Sequence, residues 1–164
     1  MKINIRNSKE EDFSEIYEFV KKCPPLETYG EHFYKIILRY FGDTSIVAVD
    51  SEGKIVGFSF GFVSQKDPET FFIGQIGIRE DMRGTGTGSK LIEGIINSAK
   101  EKRCKRIELT VDPTNTASQK FFGKMGFLNI SKKESRECID LKGTLCVGDY
   151  YGKGRHFTLF GKYI

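Results

Sequence analysis

Within these 164 residues, the stretch whose residue types and spacing suit a chemical task is Arg83-Gly84-Thr85-Gly86-Thr87-Gly88, followed by Ser89 and Lys90. Three alternating glycines leave no side chains to hold a ligand off the backbone. The N–H groups from Gly84 to Ser89 can then converge on an anion. A helix beginning at the end of the loop adds the positive end of its dipole. Two phosphate-binding patterns are excluded by spacing. G-x-x-x-x-G-K-[ST] has no register in GTGTGSKL, and the last glycine of G-x-G-x-x-G would fall on Ser89 or Leu91. The plainer alternative is an ordinary glycine-rich turn between a strand and a helix.

A second group lies in RIELTVD. Glu108, Thr110 and Asp112 alternate along a predicted strand, Arg106–Val111. A central strand should be apolar on both faces, so a polar face marks a candidate site, with Glu108 able to take a proton. The four cysteines, Cys23, Cys104, Cys138 and Cys146, form no C-x-x-C pair and sit in no nucleophile context. Neither a metal site nor a covalent acyl-enzyme is expected from them. His156 is a lone histidine, more simply a packed or surface residue. Lys132, Lys133 and Arg136 with Glu134 read as a solvated face.

The elements that must position these groups follow from periodicity. Lys2–Arg6 alternates as a strand, and Ser8 with Glu11 has the spacing of a capping box opening a helix that Pro24-Pro25 stops. A second helix is predicted over Gly30–Phe41, with Phe33, Ile36, Ile37 and Tyr40 on its apolar side. Strands are predicted at Ser45–Val49, Ile55–Val63, Phe71–Ile78 and Arg106–Val111, and helices at Ser89–Arg103 and Thr116–Met125. The tail from Phe127 reads as two strands around a long irregular segment. The order β-α-α-β-β-β-α-β-α-β-β, with no repeat or linker, predicts one α/β (α+β) domain over residues 1–164. A parallel pair is expected where residues 71–111 form a strand–helix–strand crossover.

Composition narrows the function. A net charge of +4 suits an anionic ligand but is too weak and dispersed for nucleic acid. Apolar runs fall short of the ~20 residues of a membrane helix. No signal peptide is read at the N-terminus, so reduced thiols and a cytoplasmic location are expected.

The loop also fits [Q/R]-x-x-G-x-G, as Arg83 to Gly88. Asp112 to Phe127, DPTNTASQKFFGKMGF, resembles N-x-x-A-x-x-[LF]-Y-x-K-x-G-F. Both blocks resemble the GCN5-related N-acetyltransferase (GNAT) superfamily, in order and at the right separation. The resemblance implies a mixed central sheet with a splayed pair of parallel strands. It implies acetyl-CoA as co-substrate, no metal, and direct attack by a small amine. It places the cofactor on Arg83, Gly84, Thr85, Gly86, Thr87, Gly88 and Ser89, on the backbone of Ile76, Gly77 and Ile78, and on Asn115 and Phe122. Many members carry tyrosine where Phe122 stands, and phenylalanine cannot donate a proton.

Leu26–Ala48, LETYGEHFYKIILRYFGDTSIVA, is similar to the L-2,4-diaminobutyrate acetyltransferases of ectoine synthesis, as are Gln75 and Thr110–Ser118. That subgroup also tends to carry phenylalanine at the position of Phe122. The similarity implies Glu27, Gln75, Tyr34 and His156 at the substrate, with Glu27, Gln75 and Glu108 as catalytic candidates. Departures are Glu27 for an aspartate, Tyr29-Gly30 for Asn-Ser, His32 for a tyrosine, Gly74 for a tryptophan, and Phe157-Thr158-Leu159 for acidic residues. A related diamine or amino acid is therefore an equal expectation for the acceptor. A protein or peptide acetyltransferase and a non-enzymatic acyl-CoA-binding domain are the alternatives, and the oligomeric state is open between monomer and homodimer.

Overall fold

The computed structural model of the chain describes residues 2–134 and 137–164; the solvated-face reading of Arg136 lies outside them. Nine strands are present: β1 (Asn4–Asn7), β2 (Ile46–Val49), β3 (Ile55–Val63), β4 (Thr70–Ile78), β5 (Arg106–Val111), β6 (Leu128–Asn129), β7 (Cys138–Leu141), β8 (Thr144–Val147) and β9 (Thr158–Tyr163). Seven of them form one sheet in the order β1-β2-β3-β4-β5-β9-β6, while β7 and β8 pair as a separate hairpin. Every neighbouring pair in the large sheet is antiparallel except β4–β5.

Helices cover both faces of the sheet. On one face, α1 (Phe13–Lys21) and α2 (Glu31–Phe41) pack Ile16, Val20, Ile37 and Leu38 against Val47, Phe58 and Phe60. On the other, α3 (Thr87–Glu101) and α4 (Thr116–Lys124) pack Leu91, Ile92, Ile95 and Phe122 against Ala48, Phe71, Ile107 and Leu109. Strand β2 is buried at all four positions because its alternate side chains enter both layers.

Three local expectations are corrected. The first helix does not start at a Ser8 cap: Ser8 donates its N–H to the Ser45 carbonyl, and a 3-10 turn at Glu10–Asp12 leads into α1. The reciprocal cap is one step later, where the Lys9 N–H donates to Asp12 Oδ2 at 2.7 Å. The buried face of α2 is Tyr34, Ile37 and Leu38, while Ile36 and Tyr40 are exposed. Adjacent apolar residues at 36–38 allow either face at helical spacing, and packing against Phe60 selects one. The tail carries four strands. In the β7–β8 hairpin Lys142 and Gly143 both take positive φ, 52° and 85°, as a tight two-residue turn requires.

Asp12 also ties the first strand to α1, accepting from both Arg6 guanidinium nitrogens at 2.8 and 2.9 Å. Burial alone pushes its carboxyl up, but the Arg6 bonds, the Lys9 N–H and the nearby positive charges hold it below its ordinary value. A carboxylate lowered in the folded state contributes stability above its unfolded pKa and loses it as pH falls through the folded value. Asp12→Asn should therefore destabilise the protein at pH 7 by about 1–3 kcal/mol in urea denaturation. The gap to wild type should narrow from about pH 4 downward; a gap independent of pH would remove the charge from the account.

Candidate active site

The site begins with an irregularity in β4. Phe60 pairs with Gln75 but Gly61 pairs with Ile73, so Gly74 is an extra residue, a β-bulge. The bulge swaps the faces of the strand. Before it, Phe71 and Ile73 point to the α3/α4 layer; after it, Gln75 points to α2 while Ile76 and Ile78 join the α3/α4 layer. Parallel pairing with β5 covers only Thr70–Ile73 against Arg106–Leu109. Beyond that the strands part, and the β5-facing backbone of β4 is left in a wedge.

Which groups line the wedge follows from alternation. The Arg79 N–H donates to the Val56 carbonyl. In an antiparallel ladder alternate residues turn to the partner, so Gly77 and Gln75 face β3 while Ile76 and Ile78 face the wedge. Of the three residues that the resemblance places at the cofactor, Ile76 and Ile78 face the wedge and Gly77 faces β3. Position 77 is glycine because a Cβ there would strike Leu26, Phe58 and Phe19.

At the end of β4 the loop has the geometry of a candidate anion cradle. Gly84 and Gly86 take positive φ, 75° and 89°, and a Cβ added at either meets nothing within 4 Å. A side chain at either position would therefore project into open space. The first bond of α3 runs from the Lys90 N–H to the Gly86 carbonyl, so the N–H groups of Thr87, Gly88 and Ser89 lie in the unbonded first turn. No acidic residue stands in that turn. Thr85 Oγ1 bonds the Met82 carbonyl at 2.7 Å and meets Thr87 Oγ1 at 2.9 Å, holding the loop shape. Arg83 folds back, its guanidinium 3.4 Å from the Ile78 carbonyl and 3.5 Å from Cys23 Sγ. Arg79, Thr85, Thr87 and Lys90 line an adjoining hollow. Asn115 caps α4, its Oδ1 accepting from the Ser118 N–H at 3.0 Å, so its amide nitrogen is the atom that can reach a ligand carbonyl.

On the opposite face of the wedge the loop after α1 meets the segment after β8. Gln75 is buried and engaged at both ends: Oε1 accepts from Tyr34 Oη at 3.2 Å, and Nε2 donates to the Glu27 carbonyl at 2.7 Å. Tyr34, 1 % exposed, also accepts from the Tyr29 N–H at 3.4 Å. The Glu27 carboxylate meets the Arg155 guanidinium at 3.2 Å. Arg155 lies over the Tyr151 ring at 5.7 Å, and the Tyr151 hydroxyl meets Thr110 Oγ1 at 3.0 Å. Tyr29 completes the cluster; burial and the Glu27 charge push its phenol pKa up.

Gln75 and Tyr34, expected at catalysis and substrate, hydrogen-bond to each other, and Gln75 also holds the Glu27 backbone carbonyl. His156 turns to its own segment, accepting the Asp149 N–H on Nδ1 at 3.0 Å, while its neighbour Arg155 reaches Glu27. Glu108 lies half-buried one step along β5 from Thr110. Burial pushes its carboxyl up against the opposing charge of Arg106, whose Nε lies 3.1 Å away without an aligned hydrogen bond. Sequence reasoning missed Arg155 and Tyr151 because nothing in residues 148–157 signals a partner more than a hundred positions away. Among the described residues, no three His, Cys, Asp or Glu side chains stand together as a metal site, and no helix is long and apolar enough to cross a membrane.

Phe122 is largely buried. Its ring is 3 % exposed and packs on Phe121, Phe127 and Phe160, with centroids 5.2, 5.5 and 6.3 Å away. Phe121 is the ring that lies against Gly88. Phe122→Tyr would bury a hydroxyl among these rings and should destabilise the fold by about 1–3 kcal/mol. Turnover of the folded fraction should stay within ~3-fold of wild type, because the group acquires no access to a leaving thiolate. A ~10-fold faster turnover would place the para position in the cleft.

A splayed parallel pair, a β-bulge in its first strand and a glycine-rich loop opening the following helix are features of the GNAT class of acyltransferases. The sequence model of the Acetyltransferase (GNAT) family matches residues 11–127, and the chain belongs to that family. It is 37 % identical over 121 residues to the L-2,4-diaminobutyric acid acetyltransferase of Chromohalobacter salexigens, a match covering 74 % of this chain and 63 % of that protein. To the same-named protein of Virgibacillus pantothenticus it is 32 % identical over 140 residues, 85 % of this chain and 80 % of the relative. The match thus spans less than two thirds of the first relative's length. Among solved structures, diaminobutyrate acetyltransferase EctA from Paenibacillus lautus, in complex with its substrate L-2,4-diaminobutyric acid and coenzyme A, is similar with a TM-score of 0.74. The identity is 25 %, and the match covers 98 % of this chain and 93 % of that one.

Proposed function

We propose that residues 1–164 act as one acetyl-CoA-dependent N-acetyltransferase domain in the cytoplasm, with L-2,4-diaminobutyrate or a related diamino acid as acceptor. The observation that supports this reading is the wedge between β4 and β5. It has a glycine-loop cradle at one end and a cluster with both charge signs, Glu27 and Arg155, on the opposite face. The names of the relatives agree with it.

In this reading the cradle holds the pyrophosphate on the N–H groups of Gly84–Ser89, and Asn115 contacts the pantetheine arm. Acetyl-CoA supplies an activated acetyl group. The Ile76 N–H faces the place where negative charge develops on the acetyl oxygen, and fixed backbone donors stabilise that charge without reorganising. Glu27, held in place through Gln75, attracts an acceptor ammonium. Glu108 removes the proton, directly or through water, because its raised pKa makes it a better base than a solvated carboxylate. Phe122 gives no acid, and the thiolate departs unaided with a pKa of ~8.5. A protein acceptor is disfavoured because the Glu27–Arg155 contact ties the loop after α1 to the segment after β8 across this face of the wedge.

The test is thiol release from acetyl-CoA with diamines, amino acids and a peptide amine. The largest kcat/KM should belong to a diamino acid. Preference for the peptide amine would replace this reading with the protein acetyltransferase.

A further inference from the structure

Arg155 has a task that the reading above does not give it. It stands in the charged cluster on the face of the wedge where the proposed reading places the amine, and it meets Glu27 from 128 positions away in the chain. Both partners are about half exposed, 51 % and 56 %, so the pair contributes little to stability. Tyr151 supports the guanidinium from below and is itself fixed by Thr110 and by the Phe157 ring, 4.8 Å between centroids. The other cation on this face of β5, Arg106, is engaged by Asp67 at 2.6 Å and by Glu108. Arg155 is thus a held but exchangeable guanidinium beside an exchangeable carboxylate.

We infer that Arg155 selects acceptors by their α-carboxylate. Resting on the amine-acetyltransferase reading, this names the part of the acceptor that the pocket recognises. An amino acid presents a carboxylate and an ammonium a few ångströms apart. It can replace the one Glu27–Arg155 pair by two, its carboxylate taking the planar fork of Arg155 and an ammonium taking Glu27. A diamine without a carboxylate satisfies Glu27 but leaves Arg155 without an anion, so it loses the second pair. The Tyr151 platform keeps the fork oriented whether or not acceptor is present.

The experiment compares L-2,4-diaminobutyrate with 1,3-diaminopropane, the same skeleton without the carboxylate, in wild type, Arg155→Gln and Arg155→Lys. The readout is the ratio of the two kcat/KM values. Arg155→Gln should lower that ratio by ~30-fold or more, chiefly through KM for diaminobutyrate, and Arg155→Lys should retain most of it, within ~5-fold, because the charge remains. Equal losses on both acceptors would overturn the inference and leave Arg155 as a tether for residues 148–157. Wild-type protein that acetylates neither acceptor, yet is stabilised by acetyl-CoA, would overturn the acceptor reading itself and this inference with it. The two failures differ in whether wild type is active.

Discussion

Gly86→Asp should abolish the rise in melting temperature that acetyl-CoA gives the wild-type protein, and with it acetyl transfer. A ligand that binds only the native state stabilises it in proportion to its affinity, so thermal shift reads the cradle directly. Gly86 is the N-cap of α3, at φ 89°, with no protein atom within 4 Å of the Cβ it lacks. A side chain there meets no protein neighbour; in the proposed reading it projects to where the anion would lie. Aspartate adds a negative charge at the helix N-terminus where the pyrophosphate charge should lie. The combined steric and electrostatic loss should weaken acetyl-CoA binding by ~100-fold or more. The left-handed backbone itself is strained for any side chain, by about 1–2 kcal/mol, and less for Asp and Asn than for others. Gly86→Asn is therefore the control: same shape and strain, no charge. It should weaken binding by ~10-fold and melt alongside Gly86→Asp in the absence of ligand. An undiminished shift in Gly86→Asp would move the cofactor away from this loop.

Glu27→Gln should lower kcat/KM for diaminobutyrate by ~10²-fold or more while leaving the acetyl-CoA thermal shift unchanged. The substitution is close to isosteric, and the backbone at 27 is held by Gln75 Nε2 on its carbonyl, so the loop should keep its place. What changes is the charge opposite Arg155 and beside Tyr29. Without it, an acceptor ammonium loses its counter-ion in the pocket and is met by an uncompensated guanidinium. Both effects act on the acceptor and neither on the cradle, which is why the two measurements separate. Activity near wild type would reduce Glu27 to a partner of Arg155.

Strand β3 and strand β5 have the bounds that their apolar patterns predict, α4 begins at the predicted Thr116, and α3 begins at Thr87, two residues before the predicted Ser89 and inside the glycine-rich loop. The cradle was legible for the same reason. Its chemistry is local, carried by backbone N–H groups, positive φ at glycine and a helix start, all within eight residues. The acceptor side was only half legible. Glu27, Gln75 and Glu108 could be singled out, but their division of labour could not, because Gln75 and Tyr34 satisfy each other and the Glu27 backbone across more than forty residues. The bulge at Gly74 arises from the β3–β4 register. Position 74 is glycine because a Cβ there would collide with the Phe60 ring, and that leaves no room for the tryptophan of the resembled subgroup. Residue type and spacing by themselves determined the fold class, the order of elements as far as α4 and the glycine-rich loop that opens α3, since each depends on periodicity or on neighbouring residues. Only the tertiary structure decided that Ile76 and Ile78 line the wedge, that Phe122 is core, and that Arg155 stands against Glu27. Those facts depend on strand register and long-range packing, which no local pattern in the chain encodes.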